Sequence, residues 1–182
     1  AITLLRLAGE RPRFEIIGEA EAIIGLWPKI AENARIGDAD WWSLLDIRAG
    51  IPTIRRSTVE AFVPQMINMQ LIDGVSFTKG CYTGQEVVAR MKYLGKLKRR
   101  MYLAHADTDT RPLPGDEIFS AGSQSQQGAG KVVNACMSPA GGYDLLAVLE
   151  VASADEGDLH LQQIEGPRLE LRELPYSLQE PE

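Results

Sequence analysis

The residues that could do chemistry crowd into one stretch, KGCYTGQEVVAR, Lys79 to Arg90. It combines a cysteine, two nearby glycines, an aromatic ring, an amide, a carboxylate and a lysine. Thr83 and Glu86 have the T-x-x-E spacing of a capping box, so Thr83 is expected to cap a helix running through EVVARMKYL. Cys81 would then sit just before a helix N-terminus, where the backbone dipole favours an anion. Lys79 adds a positive charge two residues away. Both effects favour the thiolate, the nucleophilic and metal-binding form of cysteine. Gly80 and Gly84 allow a tight bend and leave space for a ligand near the sulfur. Gln85 brings an amide able to read a polar ring edge. The plainer reading is a glycine-bounded turn with Cys81 as a small buried filler, a common fate of free cysteine. The convergence of so many groups favours function.

Other candidates are weaker. Trp41 and Trp42 could stack on a ring, but tryptophans beside an apolar helix are more often core, and core is expected here. Cys136, between Ala135 and Met137, reads as packing. His105 and His160 have no partners at ligand spacing and receive no role. The basic residues Arg90, Lys92, Lys96, Lys98, Arg99 and Arg100 form a run without acids. That run fits a phosphate, RNA or carboxylate-rich tail as well as it fits a solvated helix face followed by an edge strand.

The elements that would position these groups change character along the chain. ITLLRLAGERPRFEII reads as two strands around a turn at Gly9 to Pro12. EAEAIIGLW has helical spacing, with Pro28 interrupting or restarting the helix. Asp40 is the expected N-cap of WWSLLDIRA, and Gly50 its stop. Ile51 precedes proline, so GIPTI is expected to be extended. Pro64 should open a short helix through MINMQLI that ends by Gly74, and VSF a brief strand. Beyond Gly95, the runs MYLAHA, DEIFSA, GKVVNACM, YDLLAVLEV, LHLQQI and LELREL are separated by turn residues, which suggests a small antiparallel β-barrel. GSQSQQGAG, Gly122 to Gly130, is expected to be a mobile hairpin loop. The expected class is therefore α+β, with residues 1–95 and 96–182 as two parts.

The chain has 182 residues and a net charge of −6, which argues against general polyanion binding. Hydrophobic residues make up 45%, enough for a folded core. Two cysteines and two histidines are too few for a zinc site supplied by this chain alone. A lone disulfide is unnecessary with this apolar content, which points to a reducing, cytoplasmic setting. No apolar run approaches the ~18–20 residues of a membrane span. The opening AITLLRL starts without methionine and already in a strand-like run, as expected of a fragment lacking an N-terminal part.

At KGCYTGQE the chain resembles the YgfZ family, whose signature reads K-G-C-Y-x-G-Q-E. The resemblance extends through LDIRAGIP, through FVPQMINMQLIDGVSFTKGCYTGQEVVARMKYLGKLKRR, and to the ending LPYSLQE, Leu174 to Glu180. It implies the C-terminal part of a folate-binding domain related to the glycine-cleavage T-protein, followed by a small β-barrel. It also implies tetrahydrofolate as ligand and an accessory role in assembling or maintaining iron–sulfur clusters in selected enzymes, including those that thiolate tRNA. Those enzymes or their assembly proteins would be transient partners, tRNA could contact residues 90–100, and no membrane is implied. Carried over by position, Cys81 is the functional thiol, and Lys79, Gly80, Tyr82, Gly84, Gln85 and Glu86 form the binding loop. One cysteine cannot supply the four thiolates a cluster usually needs, so any cluster would be shared.

Arg48 departs from the pattern of related folate-binding chains, which tend to carry a glutamate there to pair with the pterin edge. A guanidinium cannot accept hydrogen bonds from a pterin N–H, but it could hold a folate carboxylate bidentately. The pterin edge would then need another reader. Two other functions compete with the accessory role. A T-protein-type aminomethyl transferase would require an acidic residue in a closed pocket, and the sequence marks none. A non-enzymatic tRNA-binding module would rest on the basic run alone.

Overall fold

The computed structural model describes residues 1–7, 11–77, 79–94, 97–123 and 128–178. The chain divides into two compact units, Ala1–Trp42 and Ser43–Glu182.

In the first unit, β1 (Ile2–Leu7) and β2 (Arg13–Gly18) pair antiparallel, as their alternation predicts. The turn expected at Gly9 to Pro12 falls partly outside the described residues. α1 spans Ala20–Ala31 and carries Pro28 inside it. Pro28 therefore does not restart the helix. It stands near the C-terminal end, and Glu32 N–H still reaches the Pro28 carbonyl at 3.1 Å. α2 (Ala39–Arg48) is capped by Asp38, whose Oδ1 accepts the N–H groups of Asp40 and Trp41 at 3.1 and 3.2 Å. The expected cap, Asp40, lies two residues too far into the helix. Trp41 is 56% exposed, contrary to the core role expected of it. Trp42 is half-buried, with the Arg13 guanidinium 5.2 Å from its ring centroid, a cation–π contact.

The second unit is built on an antiparallel sheet in the order β7-β4-β5-β6-β3-β8. Its strands are β3 (Arg99–Ala106), β4 (Glu117–Phe119), β5 (Gly130–Met137), β6 (Tyr143–Glu150), β7 (His160–Leu161) and β8 (Leu169–Arg172). The two ends of this order approach each other. His160 bridges Arg168, and Leu169 N–H reaches the Leu159 carbonyl at 2.8 Å. The sheet thus curls towards the small barrel the strand spacing predicts. β4 and β5 pair as the expected hairpin would, while residues 124–127 of its loop lie outside the described residues. Val151, expected to extend β6, instead opens a short helix, α4 (Val151–Glu156), which ends at Gly157 with φ +74.

Two apolar clusters flank the sheet because its strands bury side chains on both faces. One gathers Ile118, Val132, Leu145, Leu149, Leu159 and Leu169. The other joins Met101, Val133, Cys136, Leu146 and Val148 to Leu44, Ile47 and Ile67. The second explains why the units divide at Trp42/Ser43 and not near Gly95–Lys96. Residues from α2 and the segment after it complete the core of the sheet. Cys136 belongs to that core, in keeping with the packing role read from sequence. Leu174, beyond β8, packs against the same cluster. Tyr176 donates its hydroxyl to the Gly50 carbonyl at 2.8 Å, and Gly50 has φ +68, the left-handed stop expected after α2. A Cβ there would lie 2.5 Å from the Tyr176 ring, so glycine is required twice over.

Candidate functional site

Between Gly50 and α3 (Gln85–Leu94) the chain is nearly free of regular structure, yet side-chain hydrogen bonds anchor it. Thr53 N–H donates to Asn134 Oδ1 at 2.8 Å, where β5 carries a bulge. Ser57 Oγ donates to the Pro114 carbonyl at 2.6 Å. Asn68 Nδ2 donates to the Met101 carbonyl at 2.8 Å. Pro64 opens only one 3-10 turn, Pro64–Ile67, which Asn68 ends at φ 58, so the helix expected through MINMQLI is a single turn. Inside that turn, Gln65 is buried and donates to the Val88 carbonyl, tying the turn to α3. VSF forms no strand.

This anchoring shapes a cavity of about 360 Å³, within the range of small-molecule sites. Ile54, Phe62, Ile67, Met69, Val75 and Val88 supply an apolar lining. The polar groups are few: Thr58, Glu60, Ser76, Lys79 and Tyr82. Lys79 and Tyr82 come from the signature, and the Lys79 ammonium stands 5.3 Å from the Tyr82 ring centroid. Cys81 lies between them in the chain and is exposed, so it is not the buried filler of the plainer reading.

The loop enters α3 differently from the expected capping box. The helix starts at Gln85, so Thr83 stands one residue before the cap position, which Gly84 takes with φ +83. Gln85 is the residue that turns back, its Oε1 accepting the Tyr82 N–H at 3.2 Å. Gln85 therefore holds the loop, and it is not among the residues lining the cavity. Glu86 lies in the first turn, where its charge suits the helix dipole. A Cβ on Gly80 would meet nothing within 4 Å, which leaves the cysteine's flank open.

Arg48 is not among the residues lining the cavity. Its guanidinium grips Asp144 on β6, with Nε and Nη2 at 2.9 and 2.7 Å from Oδ2. The fork expected to hold a folate carboxylate is therefore already engaged by a carboxylate of the chain itself. Asp144 is 1% exposed and also accepts from Arg172 Nη1 at 2.9 Å and meets His105 Nδ1 at 2.8 Å. Burial pushes its carboxyl up, but hydrogen bonds from His105 and Arg48, and the charges of Arg48 and Arg172, outweigh it. The net result holds the group below the usual aspartate range. The sequence did carry a signal for this network, an aspartate next to the start of the apolar run LLAVL.

The basic run is partly neutralised. Arg99 pairs with Glu150 at 3.1 Å and donates to the Gly128 carbonyl, and Arg100 donates to the Leu178 carbonyl. Arg90 and Lys98 are exposed, Gly95 and Lys96 lie outside the described residues. Among the described residues no helix is long and apolar enough to cross a membrane.

No family model matches the chain. Curated relatives do. It is 35% identical over 178 residues to the tRNA-modifying protein YgfZ of Sodalis glossinidius (strain morsitans), and equally to that of Yersinia pestis (strain Pestoides F). The match covers 98% of this chain and 54% of each relative, so the chain spans about half the length of the curated relatives it matches.

Proposed function

The chain belongs to the YgfZ family over the residues it shares with those relatives, and on that premise we propose that it forms part of a folate-binding accessory factor. Its task is the assembly or maintenance of iron–sulfur clusters in selected enzymes, including those that thiolate tRNA. That the relatives are named tRNA-modifying proteins supports the link to tRNA modification. The observation that carries the folate half is the cavity beside the signature, where Lys79 and Tyr82 converge with an apolar wall and one carboxylate. That set fits a flat, polar-edged ring. Lys79 and Tyr82 would flank it, Gly80 and Gly84 leave its approach clear, and Cys81 presents an open sulfur at the same loop.

With Arg99 and Arg100 engaged inside the chain, direct tRNA contact would fall to the rest of the basic run. The accessory reading therefore rests on the thiol. The test is complementation. A Cys81→Ala variant of the full-length protein should fail to restore cluster-dependent tRNA thiolation in a deletion strain, while the parent restores it. Full rescue by the variant would remove the thiol from the account.

A further inference from the structure

We propose that the Tyr176 hydroxyl clasps the cavity-bearing segment at two points, which makes Tyr176 and Asn68 positioning residues for the ligand. The inference rests on the folate reading above for the ligand's identity alone. No described residue of the ending LPYSLQE lines the cavity, yet its tyrosine holds the chain that does. The hydroxyl donates to the Gly50 carbonyl at 2.8 Å and accepts from Asn68 Nδ2 at 3.4 Å. Between these two points the chain supplies Ile54, Thr58, Glu60, Phe62, Pro64 and Ile67 to the cavity, and Met69 follows directly. Burial pushes the Tyr176 phenol above its ordinary pKa, so the hydroxyl stays protonated and can donate.

Both partners suit that role. Asn68 is fully buried, and its Nδ2 also donates to the Met101 carbonyl at 2.8 Å. Its Oδ1 has no hydrogen-bond partner among the described residues. Glycine would adopt φ 58 at least as readily and would leave no buried oxygen unpaired. The use of asparagine at this position therefore lies in its N–H groups, which join the turn to β3 and to the tail. The tail is itself fixed on either side of the ring. Leu174 packs against the cluster that contains Met101, and the Leu178 carbonyl accepts from Arg100, the neighbour of Met101 in β3. One strand thus carries both halves of the clasp. A loop held at both ends has already lost freedom that a ligand would otherwise have to remove, which favours binding.

The experiment uses the full-length protein, titrated with tetrahydrofolate and, without ligand, followed by hydrogen exchange read by mass spectrometry. Tyr176→Phe removes the hydroxyl and keeps the ring against Gly50. It should speed exchange at residues 51–76 and weaken tetrahydrofolate by about 5- to 10-fold, the size of one net hydrogen bond. β5 and β6 should exchange as in the parent, which a general loss of stability would not allow. Asn68→Gly should repeat both effects while keeping the left-handed turn. The double variant should weaken binding by less than the product of the two single effects, because both act through one contact. If Tyr176→Phe matches the parent in exchange and in affinity, there is no clasp and the folate reading stands. Faster exchange with unchanged affinity also overturns the proposal, since the held segment would then not position the ligand. If the parent binds no tetrahydrofolate, the folate reading falls and exchange decides the clasp: faster exchange at residues 51–76 supports it, and unchanged exchange overturns it.

Discussion

The curled sheet and the irregular segment before α3 treat their polar groups in opposite ways. In the sheet, Asp144 is buried and fully engaged, held by Arg48, His105 and Arg172 from three other elements. Around the cavity, Glu60 and Lys79 face open space and Cys81 is exposed. A buried charge network is worth keeping only when every member is satisfied. The exposed carboxylate, ammonium and thiol are accessible to a ligand. The contrast assigns stability to the sheet and recognition to the segment, although the segment hangs on the sheet through Asn134, Pro114 and Met101.

Removing Asp144 tests the stable side hardest. Asp144→Ala should cost about 3 kcal/mol, the low end for breaking a buried pair, because half-exposed Arg48 and Arg172 can turn to water. A urea midpoint equal to the parent's would contradict the closed-network account. Gly50→Ala should follow at about 2 kcal/mol, combining left-handed strain with the collision against Tyr176. In a Tyr176→Ala background the same substitution should cost less, since the collision with Tyr176 is gone while the left-handed strain and the close approach of Leu174 Cδ2 remain. A cost that is unchanged in that background would show that the tail does not press on Gly50.

Acid titration sharpens the comparison with a smaller effect. The Asp144 carboxyl is held below its unfolded value, so its contribution is complete above the ordinary aspartate pKa of about 4. It is lost as pH falls through the lowered folded value. The urea midpoint of the parent should therefore drop between pH 5 and pH 2 more steeply than that of Asp144→Asn. Parallel slopes would mean that Asp144 is not specially held. The smallest effect belongs to the loop. Cys81→Ser should leave stability within about 0.5 kcal/mol of the parent, as expected for an exposed position. A large loss there would place the thiol in the stable half of the molecule.

Much of this division is legible in the sequence, for definite reasons. The strands from Arg99 onwards alternate or run apolar, and Gly50 ends its helix through a local backbone preference that needs no tertiary knowledge. The loop from Lys79 to Glu86 stands out because its residue types are unusual together. Short-range capping is less secure. Asp38 and Asp40 are equally good caps by type, and only the path of the backbone chooses Asp38. What the sequence hides is long-range. Arg48 meets a partner 96 residues away, so its engagement with Asp144 could not be read from DIRAGIP. The cavity likewise gathers residues from Ile54 to Val88 that share no motif, so its lining shows only in the fold.

The most direct test of the central claim is the reactivity of Cys81 in the full-length protein with and without tetrahydrofolate. Alkylation by iodoacetamide, read at Cys81 by peptide mass spectrometry, reports whether ligand and thiol share one site. The account predicts that saturating tetrahydrofolate slows alkylation of Cys81 and leaves buried Cys136 unreactive throughout. Bound tetrahydrofolate with an unchanged alkylation rate at Cys81 would contradict it, because the thiol and the folate would then work at separate places.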